Sequence, residues 1–404
     1  NAALPMLAAA VLTDEPVVLR NLPLIEDVMV MIQILNDLGA RTELKGHTLH
    51  IDAADLRKRS IDQALCRKVR GSILFAGPLA ARHGRAELSP PGGDVIGTRR
   101  LDTHFQGLAA LGIDIDGTTT FKFVRKNLKA AKILLDEASV TATENIMMAA
   151  TLAKGVTVLY NAACEPHVED LGRLLNRMGA KISGLGTNRL EIRGVSRLHG
   201  TTHRIGTDYI EAGSFMAAAA ATGGEITLNV PDHAISSPII QRAFRKLGLN
   251  WTAKGSKIVV GPKQPLKILP DFGSAIPKIE DGPWPAFPSD LMSVAIVLAT
   301  QARGQVLFFE KMFESRMYFA DQLVGMGARI VPCDPHRIVV SGPNRLLGTH
   351  ISSPDIRAGM ALVIAALCAK GTSTIENVQM IDRGYEKIDQ RLRDLGADIE
   401  RVES

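Results

Sequence analysis

The sequence predicts an α/β protein made of α+β repeats: two inside-out α/β domains built from six similar helix–strand units, helices packed inward and sheets outside. Three observations predict it. A Leu/Met-Gly dipeptide closes a helical pattern six times, about every 70 residues along the chain. An apolar Ala- and Met-rich helix followed by a turn and a β-branched strand precedes these dipeptides. The 404 residues exceed one ordinary core and suit two domains of about 200 residues each.

The caps come first. They are Leu38-Gly39, Leu111-Gly112, Met178-Gly179, Leu247-Gly248, Met326-Gly327 and Leu395-Gly396. Each glycine follows an amphipathic stretch, such as 27–38 or 386–395. Glycine ends helices well because it adopts the left-handed conformation freely. The strands are next. Val156 to Leu159, Ile226 to Leu228, Val306 to Phe308 and Thr372 to Ile375 each follow a Gly-bearing turn. Short strands such as Leu190-Glu191-Ile192 and Ile338-Val339-Val340 come after the caps. Each unit therefore reads helix, strand, helix, strand, strand. The first helices, for example 215–221 and 360–367, have no polar face and belong inside. Six units divided evenly give domains 1–207 and 208–404, with the boundary between Val195 and Tyr209. A single solenoid is the alternative arrangement.

Composition narrows the function. The formal charge is +5, which suits a handler of anions but does not separate nucleic acid from small phosphorylated substrates. Only 4% of residues are aromatic, which argues against base stacking and so against nucleic acid. Cys66, Cys164, Cys333 and Cys368 are far apart, as reduced thiols of a cytoplasmic protein would be. The histidines show no ligand spacing, so no metal and no cofactor are expected. No apolar run approaches the length needed to span a bilayer, so no membrane role is expected.

The second unit departs from the pattern after its strand. Pro90, Pro91, Gly92, Gly93, Asp94, Gly97, Arg99 and Arg100 form a loop with one acid and two arginines. Composition alone favours a solvated turn there. Arg316, Arg357 and Arg383 stand beside apolar inner helices, where an unpaired guanidinium is costly. Each has an acid close by (Glu314, Asp355, Asp382) and could form a structural pair with it. Three such positions in one half of the chain favour an anion pocket, since arginine grips phosphate and carboxylate with two donors. Asp290 precedes an apolar helix, where an N-cap is its ordinary role.

These stretches together resemble the UDP-N-acetylglucosamine 1-carboxyvinyltransferases, the enolpyruvyl transferases of peptidoglycan synthesis. The resemblance runs from Asn1 to the C-terminus. It is carried by 1–5, 91–99, 139–150, Ile210-Glu211-Ala212-Gly213, 285–290, 313–316, 355–358 and 381–386. The shikimate-pathway enolpyruvyl transferase shares the six-unit fold but not the 210–213 and 285–290 signatures. The resemblance implies two domains that close over phosphoenolpyruvate and UDP-N-acetylglucosamine. Arg70, Arg99, Arg100, Leu101, Asp102, Thr103, Glu137, Ala138, Ser139, Val140 and Met312 would contact the sugar nucleotide. Asn1, Arg99, Arg316, Arg357 and Arg383 would surround phosphoenolpyruvate. Asp290 would take the proton of the attacking hydroxyl, and Asp94 would be the loop acid; Arg99 and Arg383 would assist catalysis. No obligate protein partner is implied.

The chain departs from the family in four places. Asp94 stands where most members have cysteine. A carboxyl with an ordinary pKa near 3.9 costs about 4 kcal/mol to keep protonated at pH 7, so the anionic substrate is expected to help hold the proton. Fosfomycin, which alkylates the family's cysteine, should then leave this protein untouched. The lysine that precedes the Asn1 position in the family lies outside this sequence, as does the first strand of the C-terminal domain; the expectation is of an N-terminally shortened chain. Glu137 fills a usually basic position, and Tyr209 replaces a common arginine. The missing lysine, Glu137 and Tyr209 motivate a second reading, a non-catalytic paralogue that binds sugar nucleotide or a partner protein.

Overall fold

All six predicted caps are left-handed, with φ of 106° at Gly39, 87° at Gly112, 99° at Gly179, 85° at Gly248, 99° at Gly327 and 95° at Gly396. The computed structural model describes residues 1–94, 96–231 and 237–402. The unit order of helix, strand, helix, strand, strand holds in the first five repeats. The sixth runs Ile356–Cys368, Thr374–Glu376 and Ile388–Asp394, with no strands after it among the described residues.

The chain divides into two compact units. The first holds Asn1–Asp94 and Arg99–Gly206, and the second holds Val95–Thr98 and Thr207–Ser404. In the first, the inner helices are Ala3–Ala9, Ala76–His83 and Val140–Ala150, the last packing against both others. Residues 142–150 of that last helix are all buried. In the second unit, Tyr209–Thr222, Met292–Gln301 and Ile356–Cys368 pack against one another pairwise. Met292 to Thr300 is buried without a gap. A helix can lie wholly inside because its backbone bonds are made internally, and Ala, Met and Val leave no polar group to satisfy.

The outer helices are amphipathic. Pro166–Arg177 starts with proline at its first turn and buries Val168, Leu171, Leu174 and Leu175, one stripe of a 3.6-residue period. Asn176 then ties the helix to the following strand: its amide nitrogen donates to the Ile182 carbonyl at 2.9 Å, and the Ile182 N–H donates back at 2.8 Å.

Each repeat contributes one small sheet. In the first unit, Val17–Arg20 pairs antiparallel with Thr48–Asp52 and parallel with Thr201–Arg204, so the last strand of the unit closes onto its first. Val156–Tyr160 repeats this arrangement, antiparallel to Arg189–Arg193 and parallel to Lys132–Leu134. In the second unit, Gly304–Phe309 does so with Arg337–Gly342 and Lys278–Glu280. The first sheet of that unit has three strands among the described residues. In both units the inner helices make up much of the buried core.

Candidate active site

The first unit gathers most of its predicted contact residues around Arg70. This arginine opens the 3-10 turn Arg70–Phe75. Its Nη2 donates to the carbonyls of Arg99 at 2.8 Å and Arg100 at 3.4 Å, fixing the end of the loop. Burial, with the neighbouring Arg99 charge, lowers the Arg70 guanidinium to about 10, and Glu137 opposes the shift. Asp102 starts the helix Asp102–Ala110 and pairs with Arg100 at 2.7 Å, while Leu101 packs half-buried against the core. The Thr103 hydroxyl reaches Glu137 at 3.5 Å. Ser139 caps the helix Val140–Ala150, accepting the Ala142 N–H at 3.4 Å, with Ala138 half-buried just before it. Arg70, Arg99, Arg100, Thr103 and Glu137 are thus brought together.

The loop is anchored on the same segment. The Gly92 N–H donates to the Cys66 carbonyl at 3.0 Å. A Cβ on Gly92 would lie 1.7 Å from the Arg67 carbonyl oxygen, so only glycine fits. Asp94 and Arg99 are both half-buried. Past Asp94 the chain joins the second unit, where the Thr98 N–H and hydroxyl meet Glu314 at 3.0 Å and 3.2 Å. Asn1 is half-buried at the mouth of the first inner helix.

Behind this cluster lies a buried polar network that periodicity alone does not reveal. His104 is 1% exposed, with one ring nitrogen 3.1 Å from the Thr141 hydroxyl and the other 3.1 Å from the Asn145 amide. Asn145 also donates to the Ile73 carbonyl at 2.9 Å and accepts the Gly77 N–H at 2.7 Å. Asn145 donates towards Nδ1, so Nδ1 is the acceptor and Nε2 carries the proton. Burial, with Arg70 nearby, lowers His104 to about 3, so the ring is neutral. Next to Asn145, Glu144 is 1% exposed, and its Oε1 has no hydrogen-bond partner among the described residues. Burial raises its carboxyl well above the ordinary range, and Glu165 raises it further. The run Thr143-Glu144-Asn145 inside an apolar helix is the sequence signal that could have flagged this network.

The second unit gathers its residues around Asp290. Asp290 lies in the 3-10 turn Ser289–Leu291 ahead of Met292–Gln301, and that helix receives no side-chain cap. The N-cap reading is therefore corrected: the carboxylate faces two arginines instead. Arg316 Nη2 donates to Oδ1 at 2.9 Å and Arg357 Nε to Oδ2 at 3.0 Å. Arg357 is nearly buried over the Tyr385 ring, its Nη1 3.5 Å from the phenol oxygen, which also meets the Ser214 hydroxyl at 2.9 Å. Burial pulls the Arg357 guanidinium down, but Asp290, Tyr385 and Asp208 outweigh it and keep it firmly charged.

Two of the three neighbouring acids bond other residues, and the third accepts the backbone N–H of its arginine while the Arg357 guanidinium meets Asp290. Glu314 accepts from Thr98, while Arg316 pairs with Asp290. Asp382 is taken by Arg401 through both oxygens at 2.8 Å, and Arg383 is half-buried at the end of Gln379–Asp382. Asp355 caps Ile356–Cys368 by accepting the Arg357 and Ala358 N–H groups. Arg316 is 3% exposed, and its Nη1 has no hydrogen-bond partner among the described residues. A buried donor left unmatched favours an incoming anion. Met312, on the same segment, is exposed. Glu310, which sequence reasoning did not single out, is fully buried beneath it; burial, with Asp281 beside it, pushes its carboxyl up to about 9.

The chain is similar to known proteins over its whole length. A family model described as EPSP synthase (3-phosphoshikimate 1-carboxyvinyltransferase) matches residues 1–392. A protein of Treponema denticola named UDP-N-acetylglucosamine 1-carboxyvinyltransferase is 52% identical over 404 residues, covering 100% of this chain and 95% of the relative. Proteins of the same name from Borreliella burgdorferi and Bradyrhizobium diazoefficiens are 53% and 51% identical, each over 100% of this chain and over 95% and 93% of their own lengths. Among solved structures, the enolpyruvyl transferase NikO from Streptomyces tendae has a TM-score of 0.87 at 23% identity, covering 99% of this chain and 93% of that one. EPSP synthase from Acinetobacter baumannii has a TM-score of 0.75 at 20% identity, covering 100% and 95%. These two likenesses show the fold.

Proposed function

Because the chain belongs to the UDP-N-acetylglucosamine 1-carboxyvinyltransferase family of enolpyruvyl transferases, we propose that it transfers the enolpyruvyl group of phosphoenolpyruvate to the 3′-hydroxyl of UDP-N-acetylglucosamine. The reaction releases phosphate and opens peptidoglycan precursor synthesis. A shikimate-type acceptor is disfavoured: the relatives about half identical over the full chain carry the UDP-N-acetylglucosamine name, while the EPSP synthase structure is 20% identical. A cytoplasmic setting fits four cysteines that form no disulfide among the described residues.

The observation that carries the chemistry is the Asp290 carboxylate held between two buried guanidiniums. In this reading Asp290 accepts the proton of the sugar hydroxyl as its oxygen attacks the enol carbon. Asp94 delivers a proton to the methylene carbon, giving a tetrahedral intermediate. Loss of that methyl proton and of phosphate restores the double bond. Positioned acids and bases each supply about 10²–10⁴-fold in such steps. In the second unit Arg316, Arg357 and Arg383 supply donors to the phosphate and carboxylate, and in the first unit the family resemblance assigns Arg99 and Asn1 to phosphoenolpyruvate. Arg70, Arg100 to Thr103, Glu137 to Val140 and Met312 hold the sugar nucleotide. The test is phosphate release from phosphoenolpyruvate by the full-length protein. Release that depends on UDP-N-acetylglucosamine, and is not supported by shikimate 3-phosphate, is expected. Binding of the sugar nucleotide without release would favour a non-catalytic paralogue and overturn the proposal.

A further inference from the structure

Glu310 follows the strand Gly304–Phe309 and has no exposed surface. A glutamate at a strand end usually stays in water, and burying one is tolerated only where hydrogen bonds fix it. The bonds here reach two separate segments. Oε1 accepts the Met312 N–H at 3.2 Å and the Phe313 N–H at 3.1 Å. The Ser289 hydroxyl lies 3.0 Å and 2.9 Å from the two carboxyl oxygens. Oε2 stands 3.8 Å from Arg316 Nε. The Glu310 backbone is held as well: its N–H donates to the His336 carbonyl at 2.8 Å, and His336 Nδ1 lies 2.7 Å from its carbonyl.

Ser289 is the residue before Asp290, and Phe313 is three residues before Arg316. We propose that Glu310 is a positioning residue for enolpyruvyl transfer: it locks the turn carrying Asp290 and the segment carrying Met312 and Arg316 into one frame. The Asp290 carboxylate and Nη1 of Arg316 then keep a fixed separation before substrate arrives. This rests on the reading of Asp290 and Arg316 as site residues. Without the Glu310 carboxyl, one hydroxyl and two backbone N–H groups lose their acceptor in a dry interior, and the two segments relax apart. Misplacing reacting groups by about 1 Å costs about 10²-fold in rate. The acceptor oxygen facing Met312 and Phe313 survives in an amide, so Glu310→Gln preserves most of the frame.

The test compares Glu310→Ala, Glu310→Gln and Ser289→Ala with Asp290→Asn in the full-length protein, reading kcat, both KM values and the unfolding midpoint. Glu310→Ala is expected to lower kcat about 10²-fold, with UDP-N-acetylglucosamine affinity changing less than about tenfold. Glu310→Gln should recover to within about fivefold of wild type, and Ser289→Ala should lose about tenfold. A folded Glu310→Ala with wild-type kcat, or a folded Glu310→Gln as impaired as Glu310→Ala, overturns the proposal. If Glu310→Ala does not fold, wild-type kcat in Ser289→Ala overturns it. Should Asp290→Asn keep the wild-type rate, the site reading itself fails, and that outcome is distinct from a failure of Glu310 alone.

Discussion

Replacing Arg316 with lysine keeps a positive charge but removes the planar fork. In the structure Nη2 is committed to Asp290 at 2.9 Å, while Nη1 has no hydrogen-bond partner among the described residues of a side chain 3% exposed. An anion that meets Nη1 gains a charge-assisted hydrogen bond, and such bonds contribute about 1.5–3 kcal/mol each. Lysine at this position can satisfy Asp290 or the incoming anion, but not both in the same geometry. The loss of about 2–3 kcal/mol corresponds to about 30- to 150-fold weaker use of phosphoenolpyruvate. Asp290 is about a third exposed and keeps Arg357, so the fold should lose little. Steady-state phosphate release, titrated separately in each substrate, reads the effect. Arg316→Lys should raise KM for phosphoenolpyruvate or lower kcat by that factor, while UDP-N-acetylglucosamine binding holds. An unchanged kcat/KM for phosphoenolpyruvate would refute the argument that the unmatched donor is an anion site.

Asp94 should escape covalent inactivation by fosfomycin; mass spectrometry showing an adduct there would count against its assigned role. Glu310 is raised from 4.5 to about 9 by burial. Its contribution to stability is therefore full below about pH 4.5 and is lost as pH rises through about 9. Denaturant titrations of Glu310→Gln should show a flatter pH dependence across that window, and parallel curves would contradict it. His104 is lowered from 6.5 to about 3 by burial. The stability it gives is present above pH 6.5 and is lost as pH falls through about 3. His104→Gln should weaken that acid-side slope; an unchanged slope would show that the ring is not the buried neutral group described.

The repeat was legible because it is written in local chemistry. A glycine after each amphipathic helix must take a left-handed conformation, and all six do. Apolar runs such as Met292 to Thr300 had no face to show water, and they are buried. Asp290 was legible as a residue but not in its local role. An aspartate before a helix reads as a cap, yet here a 3-10 turn intervenes and the carboxylate turns to Arg316 and Arg357, 26 and 67 residues away. Glu310 and His104 were illegible for the same reason. A glutamate after a strand and a histidine one turn into a helix look like surface residues, and only tertiary packing makes them buried partners of Ser289 and Asn145. The pairing of Asp382 with Arg401 rather than with an adjacent arginine could not be read from spacing.

The most direct test of the account is Asp290→Asn in the full-length protein, measured by UDP-N-acetylglucosamine binding and single-turnover phosphate release. The asparagine keeps shape but cannot take the hydroxyl proton. Binding should stay within about threefold while phosphate release slows by about 10²–10⁴-fold. Release within tenfold of the wild-type rate would contradict the assignment of Asp290 as the base.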